Sequence, residues 1–208
     1  MRSIYKIVVC SLLTLSITSC EKDLLEKEQY QKEIYLIGAY NRVWTTEVSY
    51  SNEEVKTYFT VSSSGTLALD RDVNVKMKIN EELVDIYNKK YWTVLNEDKY
   101  YKSLDTDLYS IPSLENTVIK HAEGISAEVP VLIKTASLKI DQSYVIPVEI
   151  ESTTGYPISE SGYKMLILLK LKNDYSGSYQ MSGHTTLEGE TPKTIQKPKT
   201  IKPTGVNT

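Results

Sequence analysis

Val73, Val75, Met77 and Ile79 alternate without a break with Asn74, Lys76, Lys78 and Asn80. A period of two sends successive side chains to opposite faces, so this segment has one apolar face and one wet face. That pattern fits a half-buried antiparallel strand. It recurs at Val55, Thr57, Phe59 and Val61, and again at Tyr144, Ile146, Val148 and Ile150. Tyr163 to Lys172 departs from it. Met165, Ile167, Leu169 and Leu171 supply one apolar face, but Leu166 and Leu168 add a second. This predicts a central strand covered on both sides at its middle. Turn-forming runs punctuate the strands: Ser62-Ser63-Ser64-Gly65, Ala122-Glu123-Gly124 and Thr153-Thr154-Gly155. The second lies between Asn116–His121 and Ser126–Lys134 and predicts a hairpin. Short strands at roughly ten-residue spacing predict a sandwich or barrel.

One segment has the other period. Asn80 is placed to cap a helix whose first turn carries Glu81 and Glu82, where the helix dipole favours acids. Leu83, Ile86, Tyr87 and Tyr91 then recur at helical spacing. A short helix over 81–91, crossing one end of the sandwich, is expected, with its tyrosines as packing residues.

The C-terminal stretch has neither period for long. Tyr175, Gly177, Tyr179 and Met181 alternate like a strand, but Thr191 to Thr208 offers only Ile195, Ile201 and Val206 as large apolar side chains. Each returns about 1.5–3 kcal/mol on burial. Backbone ordering costs about 1–2 kcal/mol for every residue. Pro192, Pro198 and Pro203 each remove a ladder donor. Residues 174–208 are therefore expected to be the truncated start of a second module, mostly disordered.

The N-terminus carries an address. Arg2 and Lys6 precede an apolar run from Ile7 to Ile17, which is shorter than the roughly 20 residues a spanning helix needs. This is the plan of a secretory signal, here residues 1–19. Ile17-Thr18-Ser19-Cys20 resembles a bacterial lipobox, which implies that Cys20 becomes the lipid-bearing N-terminus. Glu21-Lys22-Asp23 then resembles the acidic export signal that sends Bacteroidetes-type lipoproteins to the outer face of the outer membrane. Residues 20–31 read as a charged tether, leaving 32–173 for the sandwich.

Composition narrows the function classes. The formal net charge is −3, and losing Arg2 and Lys6 with the leader makes it more negative. There is no basic stripe for nucleic acid. Cys10 leaves with the leader and Cys20 carries lipid, so no thiol remains for a disulfide, a metal or catalysis. Sixteen tyrosines stand against a single phenylalanine. Tyrosine joins an apolar ring to a polar tip and suits half-buried sheet faces and wet binding surfaces.

From Val73 onward the order of segments is recognisable. "DVNVKMKI" runs into "NEELVDIYNKKYW", then "TVLNEDKYY", "NTVIKHAEGISAEVPVLI", "IDQSYVIPVEI" and "SESGYKMLILLKLK". This order resembles the N-terminal domain of unknown function of Bacteroidetes surface lipoproteins. That domain precedes family-18 endo-glycosidase or concanavalin-like modules in polysaccharide-utilisation systems. The resemblance covers about residues 33–172. Its best markers are Tyr87-Asn88, Tyr100-Tyr101 and Tyr144-Val145-Ile146-Pro147-Val148. Asn96 stands where the family usually has proline. The resemblance implies an all-β, immunoglobulin-like antiparallel sandwich with one short helix. It also implies a link to glycans and an outer-membrane glycan transporter complex, and no catalytic residue or cofactor.

Chemistry-bearing patterns are sparse. His121 and His184 lack partners at metal-ligand spacing. Asp70-x-Asp72 and Asp105-x-Asp107 lack the glycine and distal glutamate of a calcium loop. No Gly-x-Ser-x-Gly motif and no family-18 acidic signature occur. Aromatic residues near loops remain: Trp44, Trp92, Tyr100, Tyr101 and Tyr109 are the candidate glycan contacts. The expected function is a non-enzymatic surface lipoprotein whose sandwich is a spacer or glycan-binding module. The alternative is a structural or adhesive surface protein without sugar affinity. An enzyme would require this chain to be the front of a longer hydrolase.

Overall fold

The computed structural model describes residues 27–186, 188, 191 and 193–204. In chain order the strands are β1 (Ile34–Leu36), β2 (Val43–Ser49), β3 (Glu54–Ser63), β4 (Val73–Ile79), β5 (Lys102–Ser103), β6 (Tyr109–Ser110), β7 (Thr117–Ile119), β8 (Ser126–Lys134), β9 (Tyr144–Thr153), β10 (Lys164–Lys172), β11 (Gly177–Thr185) and β12 (Lys193–Ile201). One α-helix, α1 (Glu82–Tyr91), follows β4. The strands build two facing sheets and a separate ribbon. The first sheet has the order β1-β3-β8-β6, and the second β2-β10-β9-β4-β7 with β5 added beside β9.

The alternating segments form the strands they predict, and their apolar faces meet between the sheets. Phe59, Val61, Val129, Val131 and Ile133 come from the first sheet; Val73, Val75, Met77, Ile146, Val148, Met165 and Ile167 come from the second. All are buried in one continuous cluster. Across β4, burial alternates residue by residue from Val73 to Met77, as a period of two requires.

Two ladders are parallel rather than antiparallel. β2 runs alongside β10, with Val43 opposite Leu166, and β5 runs alongside the start of β9. Parallel neighbours need a long crossover, and nearly the whole sandwich lies between β2 and β10. The predicted hairpin at Ala122-Glu123-Gly124 is a second correction. β7 pairs with β4 in one sheet, whereas β8 pairs with β3 in the other. The turn therefore carries the chain across the roughly 10 Å gap between sheets.

The helix spans 82–91, and Asn80 contributes at its start: the Glu82 N–H donates to Asn80 Oδ1 at 3.2 Å. Its location is a third correction. It does not cross an end of the sandwich but lies on the outer face of the second sheet. Leu83 and Val84 pack there against Val145 and Leu166. That layer explains the second apolar face of β10. Without the helix, Val145 and Leu166 would face water.

The C-terminal stretch departs from the expected disorder. β11 and β12 form a two-stranded antiparallel ribbon, pairing Gly177 with Ile201 and Thr185 with Lys193. Their mutual ladder satisfies backbone groups that a lone strand would leave open. Pro198 sits opposite Gln180, in a ribbon whose outer edges are open and so tolerate a missing donor. The ribbon has no core, since almost every residue of both strands is exposed.

Candidate functional site

The helix layer leaves a cleft. Gly38 adopts φ +89°, and the single turn Ala39–Asn41 ends at Arg42 with φ +63°. Gly38 is needed twice over: a Cβ there would come within 2.5 Å of Trp44 Cε3, and the positive φ strains any other residue. Arg42 is the one non-glycine among the described residues with a positive φ. Backbone in this region costs about 1–3 kcal/mol and concentrates at functional sites. The turn is held by Arg42 N–H donating to Ala39 O and by Leu166 N–H donating to Arg42 O, both at 2.8 Å.

Opposite this turn stands α1, and the turn at 160–162 with the start of β10 forms the floor. The enclosed space is about 230 Å³. Tyr40 and Arg42 line one wall, Leu83, Ile86 and Tyr87 another, and Glu160, Ser161 and Lys164 the rim and floor. Tyr40 is 64% exposed, and its ring centroid lies 6.2 Å from that of Tyr35. Tyr87 stacks on Tyr101 and also touches Tyr91, with centroid distances of 5.2 and 4.5 Å. Burial, then the neighbouring Tyr101, pushes the Tyr87 hydroxyl pKa up. Among the described residues neither Arg42 nor Lys164 has an acidic partner. Lys164 Nζ instead lies 4.8 Å from the ring centre of Tyr163.

The sequence candidates scatter over the molecule. Tyr101 is part of a clamp: its N–H donates to Asn88 Oδ1 at 3.0 Å, and Asn88 Nδ2 donates to its carbonyl at 2.9 Å. The family markers Tyr87-Asn88 and Tyr100-Tyr101 thus touch each other, joining the helix to the chain that follows it. Tyr100 is half-buried, and its carbonyl accepts from Gln142 Nε2 at 3.4 Å. Trp92 is half-buried beneath Lys99, and its indole N–H is buried without a partner. Tyr109 belongs to the other sheet, packed at the edge of the main core with its hydroxyl buried and unpaired. Burial pushes that hydroxyl up to about 12. Trp44, 39% exposed, supports the turn that carries Tyr40 and Arg42. Cys20, Glu21, Lys22 and Asp23 lie outside the described residues.

Tyr40, Arg42, Glu160 and Lys164 were not candidates in the sequence. A left-handed arginine has no sequence signature, and three separate segments must meet to make the cleft. The short Gly38-Ala39-Tyr40 run between two strands was the one available signal. Elsewhere, His121 Nδ1 lies 2.6 Å from Asp72 Oδ1 on the surface, and His184 Nδ1 lies 3.2 Å from Thr194 Oγ1. Among the described residues no three His, Cys, Asp or Glu side chains converge as a metal site.

The fold is similar to that of a set of Bacteroides β-sandwich proteins. A protein of unknown function from Bacteroides ovatus superposes with a TM-score of 0.63 at 19% identity, over 86% of this chain and 59% of that one. An auxiliary nutrient binding protein from Bacteroides thetaiotaomicron superposes with a TM-score of 0.54 at 16% identity, over 80% of this chain and 57% of that one. An endoglycosidase of the same species, bound to its Man5GlcNAc product, gives 0.50 at 20% identity over 69% of this chain and 33% of that one. This chain therefore spans little more than half the length of the first two. No curated protein matches it.

A family model described as an N-terminal domain matches residues 30–157, more than half of the chain, and the chain belongs to that family. A companion model described as a C-terminal part matches residues 163–208. The second match begins before β10, although β10 is hydrogen-bonded between β2 and β9.

Proposed function

We propose that this protein is a non-catalytic, cell-surface module that takes part in glycan capture. The observation that carries this reading is the cleft with tyrosines on facing walls, Tyr40 and Tyr87, and polar groups at its rim. Sugars stack their apolar faces on such rings while polar side chains hold the hydroxyls. Its volume of about 230 Å³ is below the ~300–1,000 Å³ of drug-sized sites, so it suits one ring of a longer chain. The nutrient-binding and endoglycosidase relatives support the assignment to glycan handling at the level of shared fold. An outer-membrane glycan transporter complex is the partner this reading expects. No cofactor is required by it.

Anchoring through Cys20 and display on the outer surface of the outer membrane complete the proposal. Cys20→Ala should release the protein from the membrane fraction, and protease added to intact cells should digest the parent. Retention of the variant, or full protection of the parent, would remove the respective part.

The function itself is tested by a glycan array probed with the full chain and with Tyr40→Ala. Tyr40 is exposed, so its loss should leave the melting temperature unchanged and reduce sugar retention about tenfold, as for a hot-spot contact. An array with no retained sugar would favour the spacer or adhesive role instead.

A further inference from the structure

Among the described residues, several strand cations are paired with acids, whereas the two cations lining the cleft are not. On the outer face of the second sheet, several basic side chains are neutralised by neighbours: Lys76 by Glu151 at 2.7 Å, Lys78 by Glu149 at 3.6 Å, and Lys170 by Glu47 at 3.4 Å. Lys172 also pairs with Glu47. Arg71 pairs with Asp70 at 2.9 Å, and Lys120 with Glu123 at 2.8 Å. An acid-rich chain has carboxylates to spare for this. Lys164 is a strand lysine without such a pair. The ladder places it directly opposite Glu149, on the same face. Yet Glu149 is engaged from the other side, by Lys78 and by Asn80 Nδ2 at 2.5 Å. Lys164 is left to line the cleft with Arg42.

Arg42 reaches that position at a cost. Its φ of +63° would be relieved by glycine or asparagine. A guanidinium kept in an unfavourable backbone region, beside a second unpaired cation and two tyrosine rings, is arranged for something outside the fold. Glu160 is the opposing charge on the same rim. The cleft thus has two cations against one carboxylate, in a protein whose formal net charge is −3.

We propose that the cleft selects an acidic sugar residue, one bearing a carboxylate or a sulfate, with Arg42 and Lys164 holding the anionic group and Tyr40 and Tyr87 holding the ring. This rests on the glycan-capture reading and narrows it to a substrate class. Arginine offers a planar fork matched to a carboxylate or sulfate, and lysine adds a point charge.

The test is an array of uronate-containing and sulfated oligosaccharides beside neutral oligosaccharides of the same length, probed with the full chain. Uronate and sulfated arms distinguish the two anionic groups. Retention of at least one acidic series about tenfold above its neutral counterpart is expected, falling severalfold in 0.5 M salt as screening shortens the reach of the charges. Arg42→Asn and Lys164→Gln should each weaken the acidic ligand about fivefold or more. Arg42→Asn should do so without lowering the melting temperature, since asparagine accepts the left-handed backbone. Glu160→Gln should tighten acidic binding two- to fivefold, a gain that damage to the fold would not produce. Retention of neutral sugars alone would overturn the acidic-sugar proposal and leave glycan capture standing. Weaker acidic binding by Glu160→Gln would likewise overturn it. Retention of nothing would remove both.

Discussion

The two faces of the second sheet are built from the same strands and do different work. Its inner face joins Ile146, Val148, Met165 and Ile167 to the first sheet in one large buried cluster. Its outer face has a small cluster of Leu83, Val84, Val145 and Leu166, ringed by half-buried Val43, Tyr87, Tyr101 and Leu168. The inner face meets another sheet along its length. The outer face meets one short helix, which covers its middle and leaves the cleft beside it. The lesson is that the sandwich core stabilises the domain, while incomplete coverage on the other side supplies the site.

Adjacent residues of β10 test this directly. Ile167 faces inward and is fully buried; Leu166 faces outward and is 2% exposed. Large-to-small core substitutions cost about 2–5 kcal/mol, the value depending on how far the site can collapse. Ile167→Ala should fall near the top of that range and Leu166→Ala near the bottom, because a helix settles into a space more easily than a sheet does. Chemical denaturation of the two variants measures the difference. Equal losses would mean that both faces are equally rigid.

Next in size is the clamp on the outer face. Asn88→Ala leaves the Tyr101 N–H and carbonyl without the partners that Asn88 now provides. A stranded buried polar group costs about 1–3 kcal/mol. Faster hydrogen exchange across α1, with little change in β3 and β8, is expected. Uniform loss of protection would show that the helix layer and the core unfold as one.

The inner side contains a defect of its own. Tyr109→Phe removes a buried hydroxyl that has no partner and should stabilise the domain by about 1 kcal/mol. A pH series sharpens this. Burial pushes the Tyr109 hydroxyl up to about 12 from its ordinary value near 10, so the folded state holds its proton more tightly than the unfolded chain does. Its contribution is complete below pH 10 and is lost as the pH rises from 10 towards 12. The phenylalanine variant should lack that alkaline loss. A parent and variant with parallel pH profiles would contradict it.

The smallest effect is expected from the ribbon. Removing residues 177–204 takes away strands with almost no buried surface, so the melting temperature of the sandwich should move by no more than a few degrees. Pro203, which is buried near Tyr50 and Ile140, is the one buried residue that this removal takes away among the described residues. A large drop would mean that the ribbon and its following segment brace the second sheet.

Much of the sandwich was legible because a strand with one buried face must alternate. Val73 to Ile79 needed no tertiary information, and neither did the double-faced character of β10 at Leu166 and Leu168. The family markers were legible as residues, but their meaning was not. Tyr87-Asn88 and Tyr100-Tyr101 are separated by a loop, and only folding shows that they hold each other. The candidate site was hardly legible at all. Tyr101 and Tyr109 have aromatic side chains near predicted loops, as binding residues do, yet one is clamped to the helix and the other packs against the core.

The sequence by itself determined that the long alternating segments become strands, where the helix after β4 forms, and which side of those strands is apolar. Those are local properties, set by side-chain period and capping chemistry within about ten residues. The tertiary structure alone decided that 116–134 bridges two sheets instead of forming a hairpin, that β2 and β10 run parallel, and that the helix covers an outer face. It also decided which cations go unpaired. Lys164 has an acid opposite it in the ladder, but that acid is engaged by Lys78 and Asn80 on the neighbouring strand and its following turn. The physical reason is that sheet membership and charge pairing depend on which distant segments arrive side by side, and a periodic pattern carries no record of its neighbours.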